Sequence, residues 1–125
     1  MARDLFWVGS SLEDFQRFPE RVRDNMAAAL SLVQDGEKPE HAKPLRGFSG
    51  AGVLEIVKRD PSGTYRCVYT VKLQTAIYVL HAFQKKSHQG IATPQQDIEM
   101  VKRRLKWARE IDTEALQREK KGKRS

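Results

Sequence analysis

Apolar positions in this chain follow two rhythms. Between Pro19 and Gly36 they recur every three to four residues, with Val22, Met26, Leu30 and Val33 on one helical face. Pro19 can open that helix, because its missing N–H costs nothing in a first turn, and Gly36 suits the position just past its end. Upstream, "LFWV" (Leu5 to Val8) is rich in aromatic and β-branched residues and predicts a short strand. Ser10 with Glu13 three positions later is a capping-box pattern for a short helix carrying Leu12, Phe15 and Phe18. The chain is thus expected to open with a strand and an αα-hairpin.

A connector rich in Pro and Gly follows, from Glu37 to Gly52. Its stretch "AKPLRGFSGAG" exposes Lys43 and Arg46 but matches neither a Walker loop nor a dinucleotide fingerprint. Apolar residues then gather into three strand-like runs. "VLEIVKR" (Val53–Arg59) meets "TYRCVYTV" (Thr64–Val71) across the turn "DPSG", and "AIYVLHAF" (Ala76–Phe83) follows the tight connection "KLQT". Connections this short predict an antiparallel meander. Thr93, Pro94 and Gln96 mark the start of a last helix, in which Ile98, Val101, Leu105 and Ala108 repeat at helical spacing. It is expected to end near Leu116. One α+β domain over residues 1–117 is expected, with a basic flexible tail over 118–125.

The turns set the register of the meander. With Asp60 to Gly63 as the first turn, Arg59 lies opposite Thr64, Val57 opposite Arg66, and Glu55 opposite Val68. A second loop of two residues (Leu73–Gln74) or four (Lys72–Thr75) places Arg66 opposite His81 and Val68 opposite Val79. Directly opposite residues share a face. Leu54, Ile56, Tyr65, Cys67, Tyr69, Tyr78, Leu80 and Ala82 then form a core face ready to take the helices. Glu55, Val57, Arg59, Arg66, Val68, His81 and Phe83 form the other, with Lys85 just beyond. That second face is expected to lie uncovered, its basic side chains projecting together.

Charge sharpens this picture. The 125 residues carry a net +7, unevenly spread. Residues 43–86 hold eight Lys/Arg against two Asp/Glu, and residues 102–125 hold ten against four. A positive field of this kind attracts polyanions, nucleic acids first. The single cysteine, Cys67, excludes an internal disulfide and fits a reducing compartment. No apolar run is long enough for a membrane span, and the start "MARDLFWVGSS" lacks the apolar centre of a signal peptide. A cytoplasmic location without membrane contact is expected.

The residue types narrow the chemistry. Arg59, Arg66, His81 and Lys85 suit phosphate: arginine matches phosphate oxygens with a planar fork, lysine donates as a point charge, and histidine passes protons near neutral pH. A metal nuclease needs clustered carboxylates, whereas Glu55, Asp60, Asp97 and Glu99 fall in different elements. His41, His81 and His88 are too scattered for zinc, and Cys67 falls on the core face. No metal or other cofactor is expected. The chemistry left is RNA cleavage by the substrate's own 2′-OH. It requires removal of one proton, stabilisation of a phosphorane-like transition state, and protonation of the leaving 5′-oxygen.

The run "PLRGF…VLEIV…YRCVYTV…YVLHAFQKKSHQGIATPQQDIEMVKRR" resembles the RelE superfamily of bacterial toxins, in particular its HigB-like, phage-associated branch, over roughly residues 3–110. "YR" at Tyr65–Arg66 and "HAFQKK" at His81–Lys86, followed by a Thr-Pro helix start, carry the resemblance. It implies a compact RelE-like α+β fold whose curved antiparallel sheet faces RNA. It also implies metal-independent cleavage of mRNA on the 70S ribosome, and neutralisation by a cognate antitoxin that often carries a helix-turn-helix. By the same resemblance Arg66 stabilises the scissile phosphate, Lys85 and Lys86 form the basic pair after the last strand, and His81 matches a frequent histidine. Lys43, Arg46, Arg59, Lys86, Lys102, Arg103 and Lys106 are the expected RNA contacts. One departure stands out: the family often has "ELR" where this chain reads "EIV", so Val57 replaces an arginine. Trp7 and Trp107 are expected in packing rather than base stacking. Two rivals keep the same fold: an inhibitor of DNA gyrase, and a non-catalytic nucleic-acid-binding protein.

Overall fold

The computed structural model describes residues 2–48, 50–85 and 93–123. β1 (Leu5–Trp7) leads into α1 (Ser11–Gln16) and α2 (Glu20–Gln34). β2 (Ala42–Pro44), β3 (Val53–Asp60), β4 (Gly63–Thr70) and β5 (Ile77–Lys85) follow, and α3 (Gln95–Lys123) closes the described chain. The strands form one sheet in the order β1-β5-β4-β3-β2. The opening strand, the αα-hairpin, the three long strands and the final helix stand where the periodicity places them.

The helix ends follow local chemistry, with two differences. Pro19 sits at the cap of α2, its carbonyl accepting the Arg23 N–H at 2.9 Å, rather than inside the first turn. Ser10 caps α1 by position but makes no capping box. Its hydroxyl instead donates to the Asp14 carboxylate at 2.9 Å. Gly36 takes a positive φ of 86° just past α2, as an ending of that kind demands.

α1 and α2 cover one sheet face. Phe15, Phe18, Val22, Met26, Leu30 and Val33 pack there on Ile56, Tyr65, Cys67, Tyr69, Ile77 and Val79. α3 covers part of the other, where Val101, Leu105 and Ala108 meet Val53, Val68, Tyr78 and Leu80. The expectation of an uncovered second face is therefore corrected. Pairing explains it: Val101, Leu105 and Ala108 make an apolar stripe on α3, and burying it needs a sheet face of its own.

The first hairpin has the expected register, Arg59 opposite Thr64 and Val57 opposite Arg66. The second does not. Arg66 pairs with Phe83 and Val68 with His81, while Tyr69 pairs with Val79, so the register shifts between Val68 and Tyr69. Leu80 is the extra residue of a β-bulge. A bulge flips the facing of everything beyond it. Tyr78 and Leu80 thus pass to the α3 face, and Ile77 and Val79 take the places expected for them under α1 and α2. On the other side of the bulge the slip is two residues, which preserves facing, so Arg66, His81 and Lys85 still share a side.

Three further differences concern the edges. β1 runs parallel to β5, making the sheet mixed rather than antiparallel; a long connection through both helices permits that direction, whereas a hairpin would not. β2 adds a short edge strand inside the Pro/Gly connector, Lys43 opposite Glu55. α3 continues as helix to Lys123, past the expected end near Leu116, and residues 117–121, Gln-Arg-Glu-Lys-Lys, are of good helix propensity. No helix among the described residues is long and apolar enough to cross a membrane.

Candidate functional site

The α3 face divides into a dry part and an ionic part. The ionic part begins with Arg66, buried at 4% exposure, whose Nη1 donates to both oxygens of Glu55 at 2.8 and 2.9 Å. Glu55 is itself 3% exposed, and the Lys43 Nζ stands 3.6 Å from its Oε1. The register dictates this meeting: Glu55 and Arg66 lie diagonally across β3 and β4 on one face, and Lys43 lies directly opposite Glu55. Lys85, opposite Thr64 at the end of β5, is also buried on that side. A cavity of about 450 Å³ opens beside the cluster, lined by Lys43, Arg46, Glu55, Thr93, Gln95 and Ile98 among others. Its walls are β2, its following loop and the start of α3. Glu55 is its carboxylate among the described lining residues, and Lys43 and Arg46 supply positive charge.

His81 lies under α3. Its Nε2 is 2.7 Å from the Asp97 Oδ1, and its ring stacks on Phe83 at 4.7 Å. Burial lowers its proton affinity below the ordinary value; Asp97 works against that shift and Arg104 adds to it. Arg104 is buried as well. Its Nη1 donates to the Leu80 carbonyl at 3.0 Å and approaches the His81 Nδ1 at 3.5 Å, and its Nη2 donates to the Ser10 hydroxyl at 2.8 Å. Cys67 is buried in the opposite layer, where loss of solvation pushes its thiol up to about 12, far from the reactivity of a nucleophile.

The other expected RNA contacts are spread over two regions. Arg59 is exposed and lines a second cavity of about 580 Å³ with Lys43, His41 and Lys58. Lys102, Arg103 and Lys106 are exposed on the outer side of α3, with Lys102 3.8 Å from Glu99. Lys86 lies outside the described residues. Trp7 packs on Phe15 at 5.0 Å, as expected, but Trp107 is 52% exposed beside those α3 cations, contrary to the expected packing role. The apolar stripe of α3 runs through its neighbour Ala108 and leaves Trp107 outside it. Among the described residues no three His, Cys, Asp or Glu side chains gather so as to hold a metal ion.

A family model for the Phage derived protein Gp49-like family (DUF891) matches residues 13–106. The chain belongs to the Gp49-like family. A search by sequence among curated proteins finds no match. Among solved structures, a RelE toxin mutant from E. coli in the free state superposes with a TM-score of 0.58 at 22% identity, covering 82% of this chain and 98% of that one. The isolated E. coli RelE toxin superposes with a TM-score of 0.54 at 23% identity and the same coverage. At such identities the likeness is one of fold: this Gp49-like chain has the RelE fold.

Two residues of this Gp49-like protein escape a reading by sequence. Arg104 and Asp112 are charged residues inside the apolar stripe of α3, three positions after Val101 and four after Ala108. That misplacement is the signal: a charge on a buried stripe needs a partner across the interface. Asp112 finds the Gln74 and Thr75 N–H groups at 3.1 and 2.7 Å and so closes the β4–β5 loop.

Proposed function

We propose that this protein is the toxin of a type II toxin–antitoxin pair and acts as a ribosome-dependent, metal-independent mRNA endonuclease. The observation that carries this reading is the buried Arg66–Glu55 pair beside a cleft with Lys43 and Arg46, on the sheet face that also holds Lys85. The RelE fold supports it. In this scheme Lys43 and Arg46 receive the phosphates of mRNA. Glu55 accepts the proton of the attacking 2′-OH. A neutral carboxyl accepts more weakly from a guanidinium than a carboxylate does. As the proton arrives, the positive charge of Arg66 is therefore released toward the phosphorane-like transition state; Lys85 supplies the second charge and gives a proton to the 5′-oxygen as its bond to phosphorus breaks and the 2′-oxygen bond forms. Antitoxin, ribosome and mRNA are the partners this scheme requires.

Val57 leaves this face one arginine short of the superfamily pattern, and Arg66 is already ion-paired. That observation favours a second reading, a nucleic-acid-binding protein that does not cut. Ribosomes translating a defined mRNA distinguish the two. The first reading predicts cleavage within translated codons, with rates reduced roughly 10²–10⁴-fold by Glu55→Gln. Tight binding with intact mRNA establishes the second. If the protein instead traps gyrase on DNA and leaves mRNA untouched, both fail.

A further inference from the structure

His81 and Arg104 meet in a buried contact between β5 and α3. A guanidinium carries five N–H donors and no acceptor, and it stays charged in a protein. The Arg104 Nη1 faces the His81 Nδ1 at 3.5 Å. Two donors cannot face each other in a buried site, so Nδ1 must present its lone pair. The ring proton then belongs on Nε2, where it donates to the Asp97 Oδ1 at 2.7 Å. A doubly protonated ring would set an N–H against the guanidinium. Among the described residues, the charged groups that face this ring from the packed elements are Asp97 and Arg104 on α3 and Asp14 on α1.

Arg104 is itself built into the fold. Its other Nη1 bond goes to the carbonyl of Leu80, the extra residue of the bulge, which has left the regular ladder. Its Nη2 reaches Ser10, whose hydroxyl donates onward to Asp14. Gly9 gives it room: a Cβ there would come within 2.9 Å of the Arg104 Nε, and the backbone φ of +58° disfavours a side chain in any case. Asp97 lies in the first turn of α3, beside the Gln95 and Ile98 that line the cleft.

We propose that Arg104 is a positioning residue that holds His81 as the neutral Nε2–H tautomer, so that the His81–Asp97 bond clasps the first turn of α3, a wall of the cleft, to β5. His81 then serves as a tie and not as a proton shuttle, because both ring nitrogens are occupied within the fold. The consequence for cleavage rests on the nuclease reading above; the tautomer and the clasp do not.

The test uses the ¹⁵N-labelled full-length protein. Long-range ¹⁵N–¹H spectra at pH 7 should show His81 protonated on Nε2 and bare on Nδ1. Arg104→Leu should raise the pH at which Nδ1 takes up a proton, while Nε2 keeps its own against the Asp97 carboxylate. Asp97→Leu should speed amide exchange at residue 97 and Ile98 by about tenfold or more. Asp97→Asn, whose amide oxygen still accepts from Nε2, should stay within about threefold of wild type, and it keeps the test open if Arg104→Leu does not fold. In translated mRNA cleavage, Arg104→Leu should raise KM about fivefold or more. An Nδ1–H or doubly protonated ring at pH 7 overturns the proposal, as does Asp97→Asn behaving like Asp97→Leu. Wild type that shows the stated tautomer yet cuts no mRNA supports the clasp and refutes the nuclease reading alone.

Discussion

The two faces of this sheet are built on different principles. Under α1 and α2, the buried side chains are Tyr65, Cys67, Ile56, Ile77 and Val79 from the sheet and an apolar stripe from the helices. Under α3 and at its margin, the sheet buries Glu55, Arg66, His81 and Lys85, and the helix adds Arg104 and Asp112. Stability alone accounts for the first face. It does not account for the second, since a buried ion pair seldom stabilises a fold more than well-packed apolar side chains of the same volume. The ionic face therefore asks for an explanation beyond packing, and it is the face that borders the cleft.

The sharpest way to break this contrast is to remove one charge from the ionic face. Arg66→Ala strands Glu55 without its buried partner and should cost roughly 3–5 kcal/mol in denaturant unfolding, with loss of cleavage. Replacing both partners, Arg66→Met with Glu55→Leu, should restore stability to within roughly 1 kcal/mol of wild type or better while cleavage stays lost. The dry face should show the reverse. Met26→Ala should cost about 2–5 kcal/mol, yet the molecules that remain folded should cut at the wild-type rate.

Asp112 lies between these extremes, a charge serving structure. Burial works to raise its carboxyl, but hydrogen bonds from Thr75 and Gln74 outweigh that and hold it below the ordinary value. The unfolded chain therefore binds this proton more readily than the native one. The stabilisation is complete well above the unfolded value of about 3.9 and is lost as pH falls through the lower native value. Asp112→Asn should cost roughly 1.5–3 kcal/mol at pH 7 and flatten the acid limb of the stability curve. The smallest effect is expected outside both faces. Lys102→Ala with Lys106→Ala should change stability by less than about 0.5 kcal/mol per site, and should lower the salt dependence of RNA binding by up to roughly 0.7 per lysine.

Much of this architecture is legible in the residues, and the illegible parts share a cause. α2 and the first hairpin follow from local chemistry: one apolar stripe, a Pro and a Gly at its ends, and a turn of Asp-Pro-Ser-Gly. The second hairpin was open to error because its connection holds no strong turn residue and is held by Asp112, nearly forty positions away. The bulge at Leu80 has no local mark either. Its carbonyl is satisfied by Arg104, again a distant partner. β2 is too short for periodicity to reveal. The grouping of Arg66, His81 and Lys85 on one side holds because the slip beyond the bulge is an even number of residues. The partners of His81 do not follow from the sequence: Asp97, Arg104 and the coverage by α3 depend on how the final helix docks.

Cleavage of mRNA on the ribosome by the cleft beside the Arg66–Glu55 pair is the proposal most exposed to test. Mapping of 5′ ends on a translated transcript, with wild type and the Arg66→Met/Glu55→Leu double variant at matched folded concentration, tests it most directly. The account predicts new ends within translated codons for wild type and none for the double variant. The same ends at the same rate from a folded double variant would contradict it.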